Sequence, residues 1–431
     1  MFSKKTGGVI LLKKAGLILM LILVVPIMSG CNIIKKSNNP SAGNNTAQEE
    51  SAKANKHKDL EVKPEPKPID PILEQIKKMS LDEKIGQMLV VGIEGYDLNN
   101  NTKTLLEKYK VGGVILFSNN VQDVSQLLNL LNSLKKENSF NKIPLFLSVD
   151  EEGGRVTRMP KEFQKFPTSR AIGKINDETL SYKIGSTIAY EIGSVGFNMN
   201  FAPVLDVNSN PKNPVIGDRS FGSNVNIVSR LGIQTMKGIQ SGNIIPVVKH
   251  FPGHGDTMVD SHLGLPSVNN DLKRLKSLEL IPFVEAIKSN ADAVMIAHIL
   301  LPKIDSENPS SMSKIIITDI LRMNLNFNGV IITDDMTMGA IVKNYNISEA
   351  AVKSVKAGSD IVLVCHGYEN EVAVINALKN AILKGEISGQ RIDESVYRIM
   401  MLKKKYKLKD EIINSIDVDG INNKIKTILD G

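Results

Sequence analysis

From Asp70 onward the chain alternates short, continuous apolar runs with longer amphipathic stretches. The runs lie at 85–93, 111–117, 143–149, 199–205, 244–248, 293–297, 329–333 and 361–364, and they are rich in Val and Ile. Each is followed by polar residues and then by a helix-like segment. Strands that are apolar on both faces must be buried on both, which predicts parallel pairing under a cover of helices. Eight such repeats within residues 70–410 predict an α/β fold, a closed (β/α)8 TIM-like barrel. A doubly wound open sheet is the alternative, because the pattern does not contain strand order. Residues 391–407 read as a last amphipathic helix, and 411–431 as a polar tail that frays.

The first 69 residues follow a different pattern. Lys4, Lys5, Lys13 and Lys14 precede an apolar run at 15–27, which ends in Met28-Ser29-Gly30-Cys31. A basic start, an apolar run of this length and small residues at a cut site predict a secretory signal over 1–30. Cys31, directly after Ser29-Gly30, resembles the acylated cysteine of a bacterial lipobox, with Met28 where leucine is usual. A plain transmembrane anchor is the alternative, for which the run is short. Residues 31–69 are rich in Asn, Ser, Lys and Pro and cannot bury enough surface to offset chain entropy. They are expected to form a disordered tether. The globular part is then extracytoplasmic, held at the cell membrane through a lipid anchor only.

Charge and cysteine usage narrow the picture. The net charge is +7, and four of those charges are the lysines of the leader, so the remainder carries no nucleic-acid footprint. Cys31 and Cys365 are the two cysteines, which rules out a disulfide framework; Cys365 follows the apolar run at 361–364 and is expected to be a small buried hydrophobe.

Chemistry concentrates in residues 249–262, KHFPGHGDTMVDSH, which hold half of the six histidines of the chain. Gly253, Gly255 and Pro252 make this a shaped loop rather than a helix. Polar residues also stand at the ends of the predicted strands: Asp150, Asp206, Lys249 and His250, His298, Asp334 and Asp335, and His366. In a barrel these ends converge on the face where active sites are built. Three chemistries compete for them. A metal site would use His250, His254, His262, Asp256 and Asp260, but their spacing matches no helical ligand pair, and neither metal nor cofactor is expected. A sugar-binding lipoprotein would need polar groups without a paired acid and nucleophile. Glycoside hydrolysis needs both.

Five segments carry a resemblance: VDEEGGRVTR (149–158), NFAPVLDV (200–207), IGDRSFG (216–222), the 249–262 stretch and VIITDDMTMGAI (330–341). In that order they resemble the β-N-acetylglucosaminidases of glycoside hydrolase family 3, of the single-barrel type. The resemblance covers residues 70–407 and implies the same barrel. It implies Asp334 as catalytic nucleophile, His262 as general acid/base and Asp260 as its partner. Asp150, Arg158, Arg219, Lys249 and His250 correspond to substrate-binding positions. The implied reaction retains the anomeric configuration and removes terminal β-linked N-acetylglucosamine from peptidoglycan fragments (muropeptides) through a glycosyl-aspartate.

The chemistry of these residues is coherent in itself. An ionised Asp attacks the anomeric carbon, and an imidazole, with a reference pKa of about 6.5, suits proton donation near neutral pH. Asp260 and His262 can cooperate if 259–263 is not helical, and an extended segment would place both on one side. Two further hydrolase-like readings remain: a phosphorolytic variant, and a β-glucosidase. The second is disfavoured because relatives of that kind usually carry a further α/β domain, whereas a short tail follows the barrel here.

Overall fold

The computed structural model describes residues 70–430; the expected signal, Cys31 and the tether lie outside the described residues. Eight parallel strands form one sheet: β1 (Leu89–Val91), β2 (Gly113–Leu116), β3 (Phe146–Val149), β4 (Met199–Asn200), β5 (Ile245–Phe251), β6 (Ala293–Ile296), β7 (Val330–Thr333) and β8 (Val362–Val364). Their order is β7-β6-β5-β4-β3-β2-β1-β8. A parallel bridge between Ile332 and Ile361 joins the two ends, so the sheet closes into the expected barrel. Every strand residue is buried, on the inside against other strands and on the outside against the helices. Closure leaves no free sheet edge.

Two segments differ from the sequence reading. The run at 85–93 is strand only at Leu89–Val91, because Leu81–Gln87 is a helix. Ser80 and Glu83 form a capping box there: the Ser80 hydroxyl accepts from the Glu83 N–H at 3.2 Å, and the Glu83 carboxylate accepts from the Ser80 N–H at 2.8 Å. That local signal outweighs an apolar run. The polar end of the chain, expected to fray, instead holds a helix at Val418–Asp430 that packs on the helix Glu178–Val195. Ile421 and Ile425 are buried, and Asn422 bonds the backbone of Gln164 and Glu162. Two apolar residues at helical spacing were enough to dock it.

The bottom of the barrel is closed by charge. Asp360, just before β8, is fully buried and accepts from Arg322, Arg398 and Ser395. Lys403 reaches under the strands and donates to Gln87, Gly112 O and Pro144 O at 2.7–2.8 Å. These groups anchor the face opposite the strand ends, where a barrel tolerates rigidity.

Candidate active site

At the carboxyl ends of the strands a cavity of about 300 Å³ opens, and it is lined by all eight site residues expected in this part of the chain: Asp150, Arg158, Arg219, Lys249, His250, Asp260, His262 and Asp334. They come from the end of β5 and from the loops after β3, β4, β5 and β7, so only closure of the barrel brings them together.

Asp334 follows β7 directly, and its N–H donates to Ile296 O at the end of β6 (2.9 Å). Asp334 Oδ1 accepts from the Asp335 N–H (2.9 Å), and this is its one hydrogen bond among the described residues. Burial pushes the Asp334 carboxyl up, but His298, His250, the Asp335 N–H and His262 more than offset it, so it lies below the usual carboxylate range and is ionised at neutral pH. Asp335 is used differently. Its carboxylate accepts from Thr337 N–H, Thr337 Oγ1 and the Cys365 N–H, and so ties the β7 loop to β8. The sequence Thr-Asp-Asp does not distinguish the two aspartates; hydrogen bonding does.

Asp260 and His262 form a pair within a tight turn. Asp260 Oδ1 accepts from both the His262 N–H (2.9 Å) and His262 Nδ1 (2.8 Å). The segment is non-helical as expected, yet not extended. An aspartate turn closes back on its own backbone, and this, rather than strand alternation, sets the two side chains together. Since a carboxylate only accepts, Nδ1 carries a proton and Nε2 is the ring atom left to exchange one with a ligand. Burial raises the Asp260 carboxyl, while the bonds from His262 bring it below its ordinary value. The His262 side chain is 63% exposed, at the mouth of the cavity.

The turn is held down by the segment after Asp334. Ala340 N–H donates to Ser261 O (2.9 Å), and Lys343 Nζ to Leu263 O (2.8 Å). A Cβ on Gly339 would lie 2.4 Å from His262 O, so only glycine permits this approach. Below it, His254 Nε2 meets Ser261 Oγ at 3.2 Å, and His254 Nδ1 meets Thr257 Oγ1 at 2.8 Å. Burial and the neighbouring His250 push the His254 imidazole down to about 4, so it serves as a neutral prop for the turn.

The opposite wall is a charge cluster. Arg219 grips Glu152 with Nε and Nη2 at 2.8 and 2.7 Å. Lys249 Nζ donates to Asp150 at 2.6 Å and approaches Glu152 at 2.7 Å. Burial would raise the Glu152 carboxyl, but Arg219 and Lys249 outweigh it and hold it well below the usual range. The ladder between β5 and β6 shifts register between Val248 and Phe251, a bulge that re-aims Lys249 and His250. His250 Nδ1 then donates to buried Asp206 at 2.6 Å, and Nε2 faces Arg219 at 3.4 Å. Among the described residues the Arg158 guanidinium has one bond, to Thr157 O, and it lines the cavity. Its loop is closed by Glu151, which accepts from Thr157 Oγ1 (2.7 Å) and the Arg158 N–H (3.0 Å).

Glu152 and Asp206 are the functional residues that sequence reasoning did not assign. Asp206 was visible as a strand-end residue, but Glu152 stands in Asp150-Glu151-Glu152, where nothing local says which acid turns inward. Glu152→Gln keeps the shape and removes a charge shared by two cations. Breaking a buried ion pair typically costs about 3–5 kcal/mol, so a clear fall in denaturation midpoint is expected. An unchanged midpoint would show that Asp150 alone satisfies the cluster.

The chain matches the family model described as the glycosyl hydrolase family 3 N-terminal domain over residues 80–402. The chain belongs to this family. Its curated relatives include proteins named β-hexosaminidases. β-Hexosaminidase A of Pseudoalteromonas piscicida is 36% identical over 325 residues, spanning 70% of this chain and 54% of that relative. The chain thus spans about half the length of that protein. The β-hexosaminidase of Neisseria meningitidis serogroup C (strain 053442) is 37% identical over 286 residues, 65% of this chain and 78% of the relative. Among solved structures, a family 3 β-N-acetylglucosaminidase from Paenibacillus sp. str. FPU-7 superposes with a TM-score of 0.77 at 38% identity, covering 81% of this chain and 68% of that one.

Proposed function

We propose that this family 3 hydrolase removes terminal β-linked N-acetylglucosamine with retention of configuration, Asp334 acting as nucleophile and His262 as acid/base. The observation that carries the reading is the pairing, across one cavity, of an ionised aspartate with a nearly unused carboxylate and an imidazole oriented by its own aspartate. Asp334 attacks the anomeric carbon while His262 Nε2 protonates the departing oxygen, giving a glycosyl-aspartate. The same Nε2 then takes a proton from water as it attacks the anomeric carbon and releases Asp334. Asp150, Arg158, Arg219, Lys249 and His250 offer a rim of donors and acceptors suited to sugar hydroxyls and an acetamido carbonyl. The names of the similar proteins support the N-acetylhexosamine. Assays of the full chain on aryl β-N-acetylglucosaminide and aryl β-glucoside test the reading. Preference for the first is expected, and equal or reversed rates would move the protein toward the β-glucosidases.

We further propose that the substrate is a peptidoglycan fragment and that the protein is a lipoprotein outside the cytoplasm. The support is the Lys-rich start, the apolar run and Ser29-Gly30-Cys31. Cys31→Ala is expected to leave the protein unlipidated and release it from the membrane fraction while activity persists. Mass analysis that finds an unmodified Cys31 in the natural protein would end this proposal.

A further inference from the structure

The floor of the barrel, at the amino ends of the strands, carries two adjoining hollows that the catalytic chemistry does not use. The larger, of about 460 Å³, has an apolar lining that includes Pro71, Ile72, Ile143, Pro144 and Leu408, with five lysines around it. The smaller, of about 210 Å³, shares Gln75, Lys142 and Ile143 with it and adds Phe140, Lys78 and Lys110. Phe140 is 74% exposed, more than any other large apolar side chain among the described residues.

The charge of this face is one-sided. No acid lines the larger hollow, and Glu83, the one acid of the smaller, is taken up by the Ser80 capping box. Nearby acids are also engaged. Asp70 accepts from Tyr397 and the Ile72 N–H, and Asp410 from Asn138 and the Leu145 N–H. Glu74 pairs with Lys77, and Glu411 with Lys409. Lys78, Lys142, Lys404 and Lys407 are exposed and have no ion-pair partner among the described residues.

An apolar floor with an exposed aromatic ring, bordered by unpaired lysines, suits a bilayer interface. Apolar side chains enter at the headgroup boundary, and lysines meet anionic phosphates. Two observations select this occupant. Residues 32–69 hold more lysines than acids, so the preceding segment of the chain does not complement the face, and a second copy would bring the same charge. The chain also enters the barrel here. Pro71 lines the larger hollow, so an anchor at Cys31 would draw this face toward the membrane.

We propose that the floor of the barrel docks on a bilayer surface rich in anionic phospholipid. Phe140 sits at the headgroup boundary, Lys142, Lys404 and Lys407 lie on lipid phosphates, and the sugar cavity faces away from the membrane. This contact adds to the lipid anchor, which the sequence reading took as the single attachment, and it does not depend on the glycosidase reading. Salt screens its charged rim, so it orients an anchored chain, whereas an unanchored chain washes off.

The chain contains no tryptophan, so Phe140→Trp in the full chain places a single fluorescent reporter at the proposed contact. Leu263→Trp places one at the cavity mouth instead, where Leu263 follows His262 and is 68% exposed. Each is mixed with vesicles whose acyl chains are brominated, made of phosphatidylcholine alone or of equal parts phosphatidylcholine and phosphatidylglycerol. With the anionic vesicles, Phe140→Trp emission should shift to the blue and be quenched, while Leu263→Trp should stay unquenched. Neither should respond to phosphatidylcholine alone. Adding Lys142→Glu, Lys404→Glu and Lys407→Glu should raise the lipid concentration for half-maximal quenching roughly hundredfold. High salt should weaken quenching with the lysines intact, which keeps the test decisive if the triple variant folds poorly. No quenching of Phe140→Trp by anionic vesicles, equal quenching at both positions, or quenching that survives charge reversal and high salt would overturn the proposal. Soluble polyphosphate that shifts Phe140→Trp emission while anionic vesicles leave it unquenched would refute it too, and assign the face to an anionic polymer.

Discussion

Asp334→Asn is expected to abolish turnover on every glycoside, activated or natural, with a loss of roughly 10⁴-fold or more, the scale of nucleophile deletions elsewhere. The substitution keeps the size of the side chain and the bond from the Asp335 N–H to Oδ1. What disappears is the negative charge that, in the proposed mechanism, attacks the anomeric carbon. The charge is present across the working range because the imidazoles and the N–H around the carboxyl hold it below the ordinary carboxylate value despite burial. The acid limb of the wild-type pH profile should accordingly lie below the reference aspartate range. A 5-fluoro glycoside that traps the intermediate should label Asp334 on peptide mapping. Labelling of Asp335 would contradict the hydrogen-bond assignment of the two aspartates, and an inverted product anomer would sink the double displacement.

The second large effect is at His262, and it should depend on the leaving group. General acid–base assistance is typically worth about 10²–10⁴-fold, and His262→Ala should lose most of that on a natural disaccharide. On an aryl glycoside the loss should be far smaller for the first step, because a phenolate departs without much protonation. Equal losses on both would mean that His262 binds substrate rather than transferring a proton. Asp260→Asn separates orientation from charge. It leaves an oxygen that can accept from Nδ1 and removes the anion 2.8 Å away that balances the charge on the ring during proton transfer. kcat/KM should fall further on the natural disaccharide than on the aryl glycoside. Equal losses on both would place Asp260 in substrate binding rather than in proton transfer.

The barrel was legible in the sequence because its signal is local and repeated. Each strand is a short run apolar on both faces, and a strand buried on both faces cannot be anything else for long. The reading failed where a different local signal competed. At 81–87 a capping box made a helix out of residues counted with the first strand, and at 418–430 two isoleucines at helical spacing docked a segment whose composition looked merely polar. The residues that line the cavity were also legible as polar groups at strand ends, and the resemblance supplied their roles.

What the sequence determined by itself, then, is the alternation of elements and the stock of titratable groups at one end of it. Only the tertiary structure decided how those groups are used. Asp334 and Asp335 are chemically identical neighbours, and three bonds from the Thr337 and Cys365 segments make one a strut while the other keeps its charge for the cavity. Glu152 became the partner of Arg219 and Lys249 because β3, β4 and β5 lie side by side. The cause is the same in each case. The charge and reactivity of a carboxylate depend on the water it loses and the donors it gains, and both are set by residues distant in the chain.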